Sequence, residues 1–212
     1  MTTPTLLEID SSPLGERSIS RHLTHEFVQN WQAAHPDGRV ITRDLNATPI
    51  PPIDAAWVGA AYTPEDKLTL EQRNKLALSD TLIAELQAAD EYVFGVPMHN
   101  FSIPSVLKLW IDQIARANKT FSFATGKPEG LLKGKKAIIL ITSGGKYDQG
   151  TAMASWNFVE PYLRTVFAFM GVTDTTFITA GGASALSIGT IDRESFLQPL
   201  VDSIRAQFQP AV

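Results

Sequence analysis

The sequence predicts a doubly wound α/β protein, and three observations carry that expectation. Short apolar runs alternate along the chain with amphipathic helical segments, the order that right-handed βαβ units and a parallel sheet produce. One of them, Lys136-Ala137-Ile138-Ile139-Leu140-Ile141-Thr142, is apolar almost without a break, as a strand buried on both faces must be. The most polar or glycine-rich segments follow the first, third and fourth runs, at the strand ends where such folds bind ligands.

The elements follow in order. Thr5-Leu6-Leu7-Glu8-Ile9 is a buried strand that ends at Asp10-Ser11-Ser12-Pro13. Ile19, Leu23, Phe27 and Trp31 recur at four-residue spacing, which predicts a helix stopping near His35-Pro36-Asp37-Gly38. A second strand covers 39–45. Between Asn46 and Pro64 lies a proline-rich segment with Trp57, Val58 and Tyr62, read as long and irregular, the kind of loop that is usually functional. Thr69-Leu70-Glu71-Gln72 fits a capping box opening a helix that ends near Asp90. The third strand is 91–96. Pro104-Ser105 starts a helix over 106–116, since proline is tolerated in a first turn. After the fourth strand, 136–142, a helix spans roughly 155–170, with Pro161 predicting an irregular or kinked first half. The fifth strand is about 175–179, followed by Ala180-Gly181-Gly182. A last helix runs over about 192–208 across Pro199.

Composition narrows the function. The 212 residues suit one domain, 1–212, with a core and a cleft. A net charge of −4 and the absence of a basic run argue against nucleic acid as a partner. Without cysteine there is no disulfide framework, thiolate metal site or cysteine nucleophile. No stretch reaches the ~18 to 20 apolar residues of a membrane span, and the start has no signal-peptide pattern, so the expected setting is cytoplasmic, without a membrane partner. His22 and His25 lie three residues apart on a helix with no third ligand nearby in sequence, which reads as a solvated face rather than a metal pair. No metal site is expected. Asp90-Glu91 reads as a solvated loop, and no G-x-S-x-G nucleophile elbow occurs.

Three loops remain. Ser11, Ser12, Ser18 and Ser20 surround Gly15 ahead of a helix start, which suits a monophosphate; the alternative is an N-cap at Ser18 with a solvated turn. The first loop matches neither GxGxxG nor GxxxxGK[ST]. Pro97-Met98-His99-Asn100-Phe101 could offer backbone groups, an amide and apolar packing to a flat polar ring, or could be a turn with Met98 and Phe101 facing the core. Gly144-Gly145 lets backbone approach a ligand, or is simply a turn.

Taken together, these loops resemble the FMN-dependent NADH-azoreductase family of NAD(P)H:quinone oxidoreductases over the whole chain. The resemblance rests on the serine-rich stretch from Ser11 to Ser20, on Pro97 to Phe101, and on the small-residue-Gly-Gly-x-Tyr stretch from Ser143 to Tyr147. ARANKTFSF, PEGLLKGKKA and PYLRTVFAFMG are also similar to family segments. It implies a flavodoxin-like five-stranded parallel sheet of order 2-1-3-4-5 with helices on both faces. It further implies that Ser12, Ser18, Ile19 and Ser20 hold the FMN phosphate and ribityl chain, that Pro97, Met98, His99, Asn100 and Phe101 line the ring, and that Thr142, Ser143, Gly144, Gly145 and Tyr147 form its polar rim. His99 stands where Tyr or Trp is common and Ser143 where many members have Arg, departures that bear on substrate preference more than on flavin binding.

The activity so implied is two-electron, ping-pong transfer from NADH or NADPH to FMN and then to a quinone or azo acceptor. The protein would need no nucleophile of its own, because the cofactor carries the redox chemistry. His99 or Tyr147 is a candidate hydrogen-bond donor to the acceptor. A homodimer is expected, with Tyr62, Phe123 and Phe169 near the substrate; Trp57, Val58 and Tyr62 of the 46–64 segment, apolar groups that a loop on a monomer's surface has no obvious way to bury, point the same way. The rival readings are a one-electron carrier of the flavodoxin type, disfavoured by the modest charge and the 46–64 segment, and a hydrolase such as an acyl-carrier phosphodiesterase, disfavoured by the lack of metal-ligand clusters.

Overall fold

The computed structural model describes residues 3–209. Its centre is a parallel sheet of β1 (Thr5–Asp10), β2 (Arg39–Asp44), β3 (Glu91–Pro97), β4 (Lys136–Ser143) and β5 (Asp174–Gly181), in the order β2-β1-β3-β4-β5. The reversal of strand order falls at β1 and β3, which are hydrogen-bonded neighbours.

The continuous apolar character of the strands is explained by their two buried faces. Leu7, Phe94 and Ile139 pack on one side with Trp110 and Ile111 of α4 (Ser105–Ile114) and Leu163 and Phe167 of α5 (Val159–Met170). Their sequence neighbours Leu6, Val93 and Ile138 pack on the other with Leu23, Phe27 and Trp31 of α1 (Ile19–Ala34). Side chains alternate along a strand with a period of two, so both sets have to be apolar. The Phe94 ring sits 5.0 Å from Phe167 and 5.7 Å from Trp110, the tilted and edge-on arrangements that aromatic quadrupoles favour.

The helix signals hold where capping chemistry is explicit. Ser18 accepts from the Arg21 N–H at the start of α1, and Thr69 and Gln72 form a reciprocal capping box on α3 (Leu70–Ala88).

Four expectations need correction. The 46–64 segment is not irregular throughout: Asp54 caps a helix, α2 (Ala55–Ala61), which packs on α3. Trp57 is buried within this same chain, its indole N–H donating to the Gln113 Oε1 at 2.9 Å, whereas Val58 and Tyr62 are 39% and 77% exposed. Trp57 therefore gives no argument for a dimer. The helix expected from 155 is irregular in its first part, a 3₁₀ turn over Ala154–Trp156, and becomes α-helical only from Val159, with Pro161 in its first turn rather than at a kink. Asp90 is not merely solvated, since its carboxylate accepts the Thr5 N–H at 2.9 Å.

Besides α2, a two-stranded antiparallel hairpin, Phe121–Ser122 with Glu129–Gly130, and a short α6 (Ser184–Ser187) were not expected, and β5, expected over about 175–179, extends over Asp174–Gly181. The last helix, α7 (Arg193–Ala206), absorbs Pro199 at an exposed position, where the carbonyl it frees can meet water.

Candidate functional site

The carboxyl ends of β1, β3, β4 and β5 surround an open cavity of ≈ 490 Å³. Its walls include Ser12, Ser18 and Ile19 after β1, Pro97, Met98 and His99 after β3, and Thr142, Ser143 and Gly144 after β4.

The first wall is fixed by a buried charge network. Asp10 ends β1 at 1% exposure, accepts a hydrogen bond from the Thr24 hydroxyl at 2.9 Å and faces the Arg21 guanidinium at 3.2 Å; Arg21 also reaches Asp44 at 2.7 Å. Burial pushes the Asp10 carboxyl above its ordinary range despite Thr24 and Arg21. At Asp44 burial works in the same direction, but the Asn46 N–H and Arg21 outweigh it and hold this carboxyl below its ordinary range. The network ties the start of α1 to the ends of β1 and β2. Ser11 completes the attachment by donating from its hydroxyl to the Gly95 carbonyl at 2.7 Å. The N–H groups of Ile19 and Ser20 precede the intrahelical ladder of α1. The hydroxyls of Ser18 and Ser20 lie 3.1 Å apart, both buried.

The Pro97 to Phe101 segment is a tight turn held over the sheet. Met98 extends the β3 to β4 ladder with an N–H bond to the Thr142 carbonyl at 2.7 Å, and His99 and Ser102 then exchange backbone bonds of 2.9 and 3.0 Å. Between them Asn100 and Phe101 both have positive φ, 48° and 69°. Asn tolerates that region; Phe does so only at a cost in strain. The turn directs Met98 and His99 at the cavity, while Phe101 lies outside it, edge-on to Tyr147 at 6.1 Å and Trp156 at 5.4 Å.

The loop after β4 is laced to the one after β5. The Gly182 N–H donates to the Gly145 carbonyl, the Ala183 N–H to that of Ser143 and the Ser184 hydroxyl to that of Gly144, at 2.8 to 2.9 Å. A side chain at Gly145 would strike the Tyr147 ring at 3.0 Å. At Gly144 the nearest atom would be 4.0 Å away, so its open side faces the cavity.

Nine of the residues singled out from sequence therefore share one cavity. Ser20, Asn100, Phe101, Gly145 and Tyr147 stand behind or beside it as supports. Tyr62, Phe123 and Phe169 do not line it: Tyr62 borders a separate cavity beside Arg116, and Phe123 and Phe169 form an exposed cluster with Phe121. Sequence reasoning missed Leu14, Arg17, Ala183, Ser184, Leu186, Ser187 and Arg193, which also line the wall. The signal available was Gly181-Gly182 ending a strand that pairs with β4, which brings its loop to the same edge.

The donor set fits a flavin mononucleotide. Hydroxyls and free helix-start N–H groups at one end suit a phosphate, and apolar Pro97 and Met98 beside the backbone of 142–144 suit a flat polar ring, in a volume typical of small-ligand sites. Among the described residues one other cluster can be compared: Glu8, Asp10 and His25, whose oxygen and nitrogen atoms come within 4.8 Å of one another on the α1 side of β1. His25 is exposed, but it does meet two carboxylates that sequence spacing could not show.

Comparison with known proteins agrees with this geometry. A family model described as a flavodoxin-like fold matches residues 4–202. The chain is 56% identical to an FMN-dependent NADH:quinone oxidoreductase of Acidobacterium capsulatum, covering 95% of this chain and 97% of that one. It is 50% identical to FMN-dependent NADH:quinone oxidoreductase 3 of Burkholderia lata, covering 96% and 98%. Among solved structures, an azoreductase from Bacillus anthracis str. Sterne superposes with a TM-score of 0.86 at 25% identity, covering 97% of this chain and 99% of that one. An FMN-dependent NADH-azoreductase from Bacillus anthracis str. Ames Ancestor, in complex with FMN, gives 0.83 at 25% identity, covering 96% and 97%. With the sheet order, the three loops and full-length identity in agreement, the chain belongs to the flavodoxin-like family that contains the FMN-dependent NADH:quinone oxidoreductases.

Proposed function

We propose that this chain is an FMN-dependent NADH:quinone oxidoreductase that also accepts azo compounds, acting as a single FMN-binding domain over residues 1–212. The observation that carries the reading is the convergence of the loops after β1, β3 and β4 on one cavity at the reversal point of the sheet. FMN, when bound, supplies the two-electron chemistry between nicotinamide and acceptor. The chain supplies position and surroundings. Ser12, Ser18 and the N–H groups of Ile19 and Ser20 hold the phosphate end. Pro97, Met98 and His99 pack beside the ring, with Asn100 and Phe101 shaping the turn that presents them. Thr142, Ser143, Gly144 and Gly145 give it a polar edge. His99, in the cavity wall, and Tyr147, beside it, are the candidate hydrogen-bond donors to an acceptor.

The exposed rings of Phe101, Trp156, Phe158, Tyr62, Phe123 and Phe169 support a homodimer in which a second copy covers the site, with Tyr62, Phe123 and Phe169 near the substrate. No helix among the described residues is long and apolar enough to cross a membrane, which is compatible with a cytoplasmic setting.

The test is direct. Purified protein should be yellow or take up FMN, one equivalent of NADH or NADPH added without oxygen should bleach it, and benzoquinone should restore the colour. Colourless protein that refuses FMN refutes the cofactor reading. Protein that binds FMN yet oxidises nicotinamide only sluggishly is an electron carrier instead.

A further inference from the structure

Two guanidinium groups line the cavity without any use in the fold. Arg17 ends the short 3₁₀ turn Gly15–Arg17, immediately before the Ser18 cap, and Arg193 opens α7. Arg21, Arg43, Arg116, Arg164 and Arg205 each sit beside a carboxylate. Among the described residues neither Arg17 nor Arg193 has an acidic group within 4.0 Å. The position of Arg193 is costly in itself, since a cation in the first turn opposes the helix macrodipole. Asp192, whose carboxylate caps the helix by accepting from the Ser195 N–H at 2.8 Å and the Ser195 hydroxyl at 2.6 Å, and Glu194 in the same turn offset that cost at the helix end, but neither comes within 4.0 Å of the guanidinium. The two arginines come from opposite ends of the sequence and line one cavity because α7 packs on α1.

The remaining donors at this end, the Ser12 and Ser18 hydroxyls and the N–H groups of Ile19 and Ser20, are neutral. A phosphate monoester carries close to two negative charges at pH 7. We propose that Arg17 and Arg193 form a two-arginine clamp for a phosphate ester at the α1 end of the cavity. The inference rests on the flavin reading for its favoured ligand, the FMN phosphate. The same chemistry would also recognise the 2′-phosphate of NADPH.

The test compares wild type with Arg17→Ala, Arg193→Ala and the double variant. In titrations followed by flavin fluorescence, FMN affinity should fall about tenfold per arginine, in line with loss of a charge-assisted bond, while riboflavin affinity stays within about twofold. Arg17→Lys with Arg193→Lys should recover part of the loss, because the charge remains and the planar fork does not. Unchanged FMN binding with a raised KM for NADPH, but not for NADH, assigns the clamp to the cosubstrate phosphate and supports it. Equal loss of FMN and riboflavin, or no change in either flavin and either nicotinamide, overturns it. Inorganic phosphate separates this proposal from the flavin reading: it should raise the Tm of wild type and not of the double variant, even if the protein takes up no FMN.

Discussion

Replacing Glu8 with glutamine should stabilise the protein at pH 8 and leave it nearly unchanged at pH 4. Glu8 is 4% exposed on β1, two residues from Asp10 and on the same face. Its Oε2 accepts from the Thr42 hydroxyl at 2.9 Å, but its Oε1 is buried without a hydrogen-bond donor, with the His25 ring nitrogen 3.9 Å away. Asp10 Oδ2 is in the same condition, and the positive charge nearest to it, on Arg21, is shared with Asp44. Burial first, and then the Asp10 charge, push the Glu8 carboxyl above its ordinary value, against the opposing pull of Thr42, His25 and Arg21. The folded chain therefore holds this proton more tightly than the unfolded one. That contribution is full below the unfolded carboxyl range near pH 4.5 and is lost as pH rises through the folded pKa. A glutamine keeps the Thr42 bond, turns an N–H toward Asp10 and removes the buried charge. The gain should be about 1–3 kcal/mol, the cost of an unsatisfied buried polar group. At about 2–4 °C per kcal/mol for a chain of this size, Tm should rise by roughly 2–12 °C at pH 8. Thermal unfolding by circular dichroism at pH 4, 6 and 8 gives the answer. Equal gains at all three values, or a loss at pH 8, would show that Glu8 is not a strained carboxylate.

Other substitutions probe the frame and the cradle. Ser18→Ala with Ser20→Ala should weaken FMN binding by about 1–3 kcal/mol and, through loss of the α1 cap, lower unfolding stability by about 0.5–2 kcal/mol; flavin titration and denaturant melts separate the two effects. Gly95→Ala should destabilise by about 1–3 kcal/mol, since its new methyl would meet Asp10 Oδ1 at 2.9 Å and Thr24 Cγ2 at 3.0 Å; an unaltered urea midpoint would mean the network relaxes freely. Trp57→Ala should cost about 3–5 kcal/mol, and by the same amount at every protein concentration, because the indole docks within its own chain; a concentration-dependent loss would place it at a subunit contact instead.

The sheet could be read from the sequence because strands covered on both faces have to be apolar throughout, as Tyr92 to Val96 and Ala137 to Ile141 are, and because Thr69 and Gln72 write their capping box in four letters. α2 escaped because AAWVGAA, behind Pro51 and Pro52, has little periodicity; only Asp54 marks its start. The burial of Trp57 depends on Gln113, 56 residues away, which no local pattern reveals. In the site, three walls were legible as polar breaks after apolar runs. The fourth was not, since Ala183 to Ser187 looks like an ordinary surface turn until β5 is known to lie beside β4. Arg193 became a candidate only when its helix was seen against α1.

The lacing of the loop after β4 to the loop after β5 bears on how the molecule is made. Residues that emerge first from the ribosome contain β1 to β4 and the serine loop, but the carbonyls of Ser143, Gly144 and Gly145 find their partners only when 182–184 have been synthesised. Contacts of that kind form late, because closing a long loop precedes any return from it. Cofactor capture thus becomes a checkpoint on chain completion: a nascent or truncated product ending before residue 182 would keep most of the sheet and still lack one wall of the vessel. Pulse-labelled translation intermediates of increasing length should acquire flavin abruptly, at the length that frees residues 182–184 from the exit tunnel, rather than in proportion to the sheet already folded.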